Sequence, residues 1–479
     1  MKVKIKEKKK MDNVVRFTAK FPVMLLGCLL AISACTIIPV QDRGDIPARL
    51  PQQFAGNGVI TPGSIYWKQS FPSKCLQDDI ETLLEANFEL KAAFARVKQA
   101  AAAYGVSQSA FFPSLDARAG FDRSRIEEDK VGSSTITRNT IDFEAALQWE
   151  LDIWGRVRAR KKSASLSFEE QQALADQTAL HLKTLLVESW ITHHAAQRLE
   201  QILNEQREAN VQLLNLIELH LAQGQGKALD VLQQRGHLIK IERAFPDVIS
   251  RKNRAANAYA VLMGHLPDGS SLPEDEWPVL DRLSAITTPR NLLEDRPDLR
   301  AAFLALQAAD QEVAAAIADR LPHLSIGLSY VASGSTFSAV GNGKVLRFTS
   351  NLLAPVFDAG RLKAMAAQRK AEAHQLLAVL EQTILEAVRE VEDALVLEQT
   401  LFDEQILMEK EVATALDAVD RSRLCYINGQ ESFLTVLIML AKLQTLQQES
   451  ILLQQDLLIN RARLLKALGA KWSEYDEKT

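Results

Sequence analysis

Two stretches of this chain, residues 156–223 and 361–428, contain neither glycine nor proline, and each is 68 residues long. An ordinary helix of a globular protein has about 12 residues. At 1.5 Å per residue, a continuous helix through either window would be about 100 Å long. No single hydrophobic core requires such an element, so it must pack laterally against others like it. Both windows also open alike, after Gly155-Arg156 and after Gly360-Arg361.

The likeness extends along the chain. Asn87-Phe-Glu-Leu-Lys-Ala-Ala-Phe94 aligns with Arg296-Pro-Asp-Leu-Arg-Ala-Ala-Phe303 at an offset of 209, as do Pro113 with Pro322 and Leu115 with Leu324. After the segment that follows, the offset is 205. It pairs Gly155 with Gly360, Gly224 with Gly429, Leu229 with Leu434, Val231-Leu232 with Val436-Leu437, and Gly264 with Gly469. Matched order that includes the infrequent Gly and Pro residues points to two copies of one unit.

Each copy reads as helix, hairpin, long helix and return helix. Residues 79–111 have helical spacing and stop at Pro113. The period then becomes two, with Leu115, Ala117, Ala119 and Phe121 alternating with Asp116, Arg118, Gly120 and Asp122. The expected strands are 114–126 and 137–150 in the first copy, and 323–332 and 345–354 in the second. Long helices are expected over 156–222 and 361–427, and return helices over 227–263 and 430–468. Gly236 and Pro246 predict a kink or break in the first return helix. The remaining segments are 1–34, an N-terminal anchor and extended segment over 35–78, a linker over 265–290 and a tail over 470–479. The first copy thus covers 79–264 and the second 291–469.

Ten-residue strands that are apolar on one face fit a transmembrane β-barrel, and equally any half-buried antiparallel sheet. Four strands cannot close around a pore. A barrel would therefore be shared among copies of the chain by cyclic symmetry.

The N-terminus reads as an export signal. Eight Lys and Arg against two acids precede the apolar run Phe21–Ile32, which is too short to span a bilayer. Ile32-Ser33-Ala34-Cys35 resembles a bacterial lipobox, with Ile32 where Leu is usual. The resemblance implies Cys35 as the lipid (palmitate) attachment site, and the alternative is an ordinary signal peptide with an incidental Cys. Thr36 is not the Asp associated with inner-membrane retention, and translation from Met11 would leave a more typical signal. Removing 1–34 takes the net charge from −4 to −10, which argues against nucleic-acid binding. Cys75 and Cys425 stand 350 residues apart without metal or redox spacing.

Taken in order, Phe112-Pro-Ser-Leu115, Trp149-Glu-Leu-Asp-Ile-Trp-Gly-Arg156, Gly224 through Leu232, Arg296-Pro-Asp-Leu299, Pro355-Val-Phe-Asp-Ala-Gly-Arg361 and Tyr426-Ile-Asn-Gly429 through Leu437 resemble a TolC-type outer-membrane efflux factor, in the lipoprotein (NodT/OprM-like) branch that serves RND pumps. The resemblance covers about residues 35–470. It implies a mostly α fold with a small β part, built as two tandem repeats. It implies a homotrimer whose 12-stranded outer-membrane barrel continues into a periplasmic α-helical barrel. The implied partners are a periplasmic adaptor (membrane fusion protein), an inner-membrane RND transporter and outer-membrane lipid. The implied role is a passive exit duct for small molecules or drugs, with antibiotic resistance as a consequence.

The resemblance places the closed entrance at the helical turns, around Gly224 and Gly429. Family members often carry Asp rings just after the second turn. Here those positions are Thr435 and Ile438. Asp230 after the first turn either supplies a substitute carboxylate ring, which would attract cations in a narrow pore, or is a helix-start Asp placed for dipole reasons. Tyr426 either helps to hold the entrance shut or is a buried helix-end tyrosine. Two other roles compete, a duct for type I protein secretion and a lipid-anchored periplasmic coiled-coil scaffold. The scaffold would leave the amphipathic strands unexplained. His193-His194 lacks the spacing of a metal pair, and Gly224-Gln-Gly-Lys227 lacks that of a phosphate loop. No nucleophile or acid–base motif is present, so neither enzyme activity nor a metal or cofactor is expected.

Overall fold

The computed structural model describes residue 54 and residues 61–62, 66–127, 135–283, 285–286 and 288–471. The signal, Cys35 and the loop 128–134 lie outside the described residues. The chain is mostly helical with a small sheet, and it divides into two compact units. Of the described residues, one unit draws on Gln99–Phe168 and Leu304–Ala378, and the other on those within Gly44–Lys98, Glu169–Phe303 and Val379–Thr479.

The first unit holds β2 (Ser114–Glu127), β3 (Thr135–Leu151), β5 (His323–Gly334) and β6 (Gly343–Leu353). They form an antiparallel sheet in the order β2-β3-β5-β6. Directly opposed residues share a face. One row is therefore Leu115–Leu147–Leu328–Phe348, and the next, on the other face, is Asp116–Ala146–Ser329–Arg347. The described residues of the protomer leave the apolar face uncovered, Leu115, Phe121, Leu346 and Phe348 each being about 70% exposed. The second-copy strands extend past the expected 332 and start before 345. Ser333 pairs with Gly343 across the hairpin end, where small residues let the ladder continue.

The second unit is a helical body. Its elements are the two-residue strands β1 (Thr61–Pro62) and β4 (Ala285–Ile286), which pair in parallel, and the helices α1 (Trp67–Ser70), α2 (Lys74–Ala86), α5 (Ala228–Leu262), α6 (Leu292–Asp295) and α9 (Phe433–Ala467). Helices α3 (Phe88–Ser109), α4 (Arg156–Ala222), α7 (Pro297–Ala318) and α8 (Arg361–Ile427) contribute to both units. The core of the helical body gathers Trp67, Phe71, Leu76, Leu83, Leu182, Leu186, Trp190, Ile191, Tyr259, Leu458 and Leu465. Burying each large apolar side chain contributes about 1.5–3 kcal/mol. The heptad-spaced Ile451, Leu458 and Leu465 are all buried.

Three expectations need correction. The helix expected over 79–111 is two helices, α2 and α3, broken at Asn87. The Asn87 amide caps α3, accepting from Glu89 N (2.9 Å) and Leu90 N (3.1 Å), and donates to Leu262 O (2.9 Å). Arg296 likewise separates α6 from α7 and donates to Ala467 O at 3.0 Å. Next, of the kink or break expected at Gly236 and Pro246, the break is absent, since α5 is helical through both. On either side of the proline, Ile241 and Val248 pack with Ala195, Ala196, Leu199 and Leu203 of α4 and with Ile451. That packing carries the helix past one missing backbone bond. Finally, α9 begins at Phe433 rather than 430, because Gln430 N closes the preceding turn onto Cys425 O (2.9 Å).

The candidate functional site at the helical turns and junctions

Both turns between long and return helices use a glycine in the left-handed region, Gly224 (φ +74°) and Gly429 (φ +70°). The N–H two residues or one residue later folds back to a carbonyl of the last helical turn. Gly226 N and Gln225 N reach His220 O at 3.1 and 2.9 Å, and Gln430 N reaches Cys425 O. This is how a helix end satisfies its orphan carbonyls while the chain reverses.

The turns differ in the side chains they present. Asp230 is in the first turn of α5, half-buried, where a carboxylate suits the exposed N–H groups. At the matching place Thr435 donates to Glu431 Oε2 at 3.1 Å, and Ile438 is 52% exposed. Ile217, Val231, Phe433 and Leu437 form a buried cluster, with Tyr426 packed against it. The Tyr426 ring meets Phe433 edge-on, with centroids 5.8 Å apart. Burial and then the nearby Asp230 charge push the Tyr426 phenol above its ordinary pKa. The structure thus brings Asp230 and Tyr426, from different turns, into one locality, while Thr435 and Ile438 lie along α9. Arg235 crosses the first hairpin to Glu218 at 2.6 Å, and Lys442 crosses the second to Glu411 at 2.7 Å. Phe433 escaped the sequence reading. Its only signal was a large apolar residue opening a helix directly after a Gly-containing turn.

The hairpin-to-helix junctions share a second pair of left-handed glycines, Gly155 (φ +80°) and Gly360 (φ +85°). Asp152 caps α4 through Val157 N (3.0 Å) and Arg158 N (2.9 Å). Asp358 caps α8 through Leu362 N (2.9 Å) and also accepts from Gly360 N (3.0 Å). Those bonds, Leu362 first, hold the Asp358 carboxyl below its ordinary pKa. Arg156 forks onto Glu150 (3.1 and 2.5 Å) and approaches Asp319 (3.6 Å), which Arg160 also binds (2.8 Å). Trp154 Nε1 donates to Pro322 O at 2.7 Å. The Arg361 guanidinium reaches Met365 Sδ (3.4 Å) and its backbone N–H reaches Asp358 O (3.1 Å), its charge also favouring the Asp358 carboxylate, while Val356 and Phe357 are almost fully exposed.

His193 and His194 are buried in the helical body, where they fasten the linker. His193 lies 3.1 Å from Ser271 Oγ and 3.3 Å from Lys252 O, and His194 lies 3.1 Å from Pro273 O. Cys75 is exposed and Cys425 half-buried, both free. Among the described residues no group of three or more His, Cys, Asp or Glu could hold a metal ion. No described helix is long and apolar enough to cross a membrane.

Comparison with known proteins adds a family. The model of the outer membrane efflux protein family matches residues 80–265 and 288–470. The pyoverdine export outer membrane protein OpmQ of Pseudomonas putida is 29% identical over 462 residues, covering 94% of this chain and 97% of that protein. The cation efflux system protein CusC of Escherichia coli K12 is 27% identical over 459 residues, covering 92% and 97%. Among solved structures, the outer-membrane channel OprN superposes with a TM-score of 0.84 at 24% identity, covering 91% of this chain and all of that one.

Proposed function

The chain belongs to the outer membrane efflux protein family, and from that premise we propose that it is the exit duct of a tripartite efflux system. Three copies contribute four strands each to one 12-stranded barrel in the outer membrane, and the long helices of both repeats form the tunnel below it. The carrying observation is the sheet in the first unit, which has one largely apolar face, one polar face and, among the described residues, two open edges, β2 and β6. In hydrocarbon an open edge is inadmissible, and closure with neighbouring copies removes it. The polar face then lines the water path.

Cys35 carries the lipid anchor. The turns around Gly224 and Gly429 form the periplasmic entrance, where the adaptor and the inner-membrane RND pump engage. The pump supplies the energy. Pyoverdine and cations, the cargoes named for two relatives, are both small solutes, which supports small molecules as the cargo class here. Asp230 and Tyr426 hold the entrance closed, and docking separates the two turns.

Planar-bilayer conductance of the full chain tests this reading. Wild-type protein should conduct weakly, and Asp230→Asn or Tyr426→Ala should raise conductance or change cation block. No change from either substitution removes both residues from the gate. A Cys35→Ser protein that is freely soluble in the periplasm without detergent overturns the barrel.

A further inference from the structure

The apolar face of the sheet changes character at one end. Its positions on β2 are Leu115, Ala117, Ala119 and Phe121, followed by Arg123 and Arg125, which oppose Asn139 and Thr137. On β6 the same face carries Leu352, Ser350, Phe348 and Leu346, and its last residue towards the hairpin end is Lys344. Among positions of this face whose side chains are described, these three are the only charged ones, and all are cationic and exposed. The opposite face mixes signs along its length, with Asp116, Asp142 and Glu144 beside Arg118 and Arg347.

The spacing places the arginines. On β3 the apolar file runs from Leu151 to Ile141, the partner of Phe121. Ten steps of about 3.3 Å, tilted by about 40°, rise about 25 Å, the height of a barrel's apolar band. Arg123 is the next position beyond that band, so it sits at headgroup level on the side of the hairpin loops. A guanidinium there keeps its stem along apolar surface and its head in the interface, where it binds phosphate oxygens in bidentate fashion.

We propose that Arg123, Arg125 and Lys344 form a cationic collar that binds the phosphate groups of outer-leaflet lipid. The proposal rests on the barrel reading above. The ligand is a phosphomonoester-bearing lipid whose acyl chains lie on the adjoining apolar face. Charge complementarity and continuity with the apolar band select it over a soluble anion.

The test uses the full-length protein in detergent micelles titrated with lipid A, with binding read as lipid phosphorus retained on gel filtration. Each cation near a lipid surface is worth about fivefold in affinity. Arg123→Gln/Arg125→Gln/Lys344→Gln together should therefore weaken binding by about a hundredfold, and Arg123→Lys/Arg125→Lys should keep most of it. Arg118→Gln/Arg347→Gln, on the opposite face, should leave it unchanged. Equal loss from both faces, retention by the triple variant, or competition by inorganic phosphate at comparable concentration overturns the collar. Flotation of the unlipidated Cys35→Ser protein with phosphatidylcholine liposomes, in which only a barrel can hold the chain to the bilayer, separates the two failures. Protein that floats but does not prefer lipid A sinks the collar alone, and protein that does not float sinks the barrel as well.

Discussion

The two halves of the chain reverse direction with the same backbone devices and then dress them differently. Gly155 and Gly360, Gly224 and Gly429, and Gly264 and Gly469 all have positive φ. Around them the first half carries ionic chemistry, with Arg156 between Glu150 and Asp319 and with Asp230 at the turn. At the offset of 205 the second half places Pro355 opposite Glu150 and Thr435 opposite Asp230, and Arg361 opposite Arg156. The linker is also fastened in two ways. In the first half His193 and His194 hold Ser271 and Pro273. In the second, Arg461 forks onto Glu398 and donates to Asp281 O at 2.8 Å. Glu398 occupies the place of His193 at the offset of 205. Reversal of the chain tolerates little variation, whereas the side chains beside it are free to specialise.

The sharpest way to break the comparison is at the linker. Arg461 and Glu398 are each only 4% exposed, and removing one partner of a buried ion pair costs about 3–5 kcal/mol. Arg461→Met should lower stability by that much in chemical unfolding in detergent. Replacing both partners by apolar residues should recover most of it.

The next contrast lies between glycines. A Cβ on Gly469 would meet Asp295 O at 2.5 Å, whereas one on Gly264 would meet Ala86 O at 3.0 Å. With left-handed strain of about 1 kcal/mol common to both, Gly469→Ala should cost about 3 kcal/mol and Gly264→Ala about half that. Gly224→Ala and Gly429→Ala, with open space around them, should cost about 1 kcal/mol each.

At the junctions, Arg156→Gln should destabilise by about 1–2 kcal/mol, because it takes from Glu150 the guanidinium that binds both its oxygens, while Asp319 keeps Arg160. Arg361→Gln should fall within about 0.5 kcal/mol. An equal effect at both would erase the distinction between the two halves.

The smallest effect is that of pH. Burial lowers the His193 pKa, although the Lys252 carbonyl bond opposes it. The neutral imidazole is therefore the form that holds the linker, with His194, Lys252 and Glu200 as its charged or titratable neighbours. This contribution is complete above the unperturbed pKa of about 6.5 and is lost as pH falls below it. Amide exchange at Ser270–Leu272 should quicken on acidification, and His193→Gln should flatten that dependence. The Arg461 side should stay protected over the same range.

Much of this was legible beforehand for a physical reason. Gly and Pro act locally, so the breaker-free windows end within one residue of the helices Arg156–Ala222 and Arg361–Ile427, and alternation alone marks the two-faced strands. What stayed hidden depends on distant partners. Asn87 breaks a helix because its amide reaches Leu262 O, and Pro246 fails to break one because its neighbours are packed. Phe433 joins a cluster drawn from both hairpins, and Arg461 meets Glu398 across 63 residues. None of these leaves a trace in local composition.

The strand order β2-β3-β5-β6 has a consequence for biogenesis. A protomer on its own presents two rows of unpaired donors and acceptors beside an uncovered apolar face, a template for wrong partners. For a chain that enters a bilayer, no lipid can satisfy those rows. On the proposed barrel, insertion and pairing with neighbouring copies are therefore coupled, and a solitary subunit stays open to wrong partners until those copies arrive.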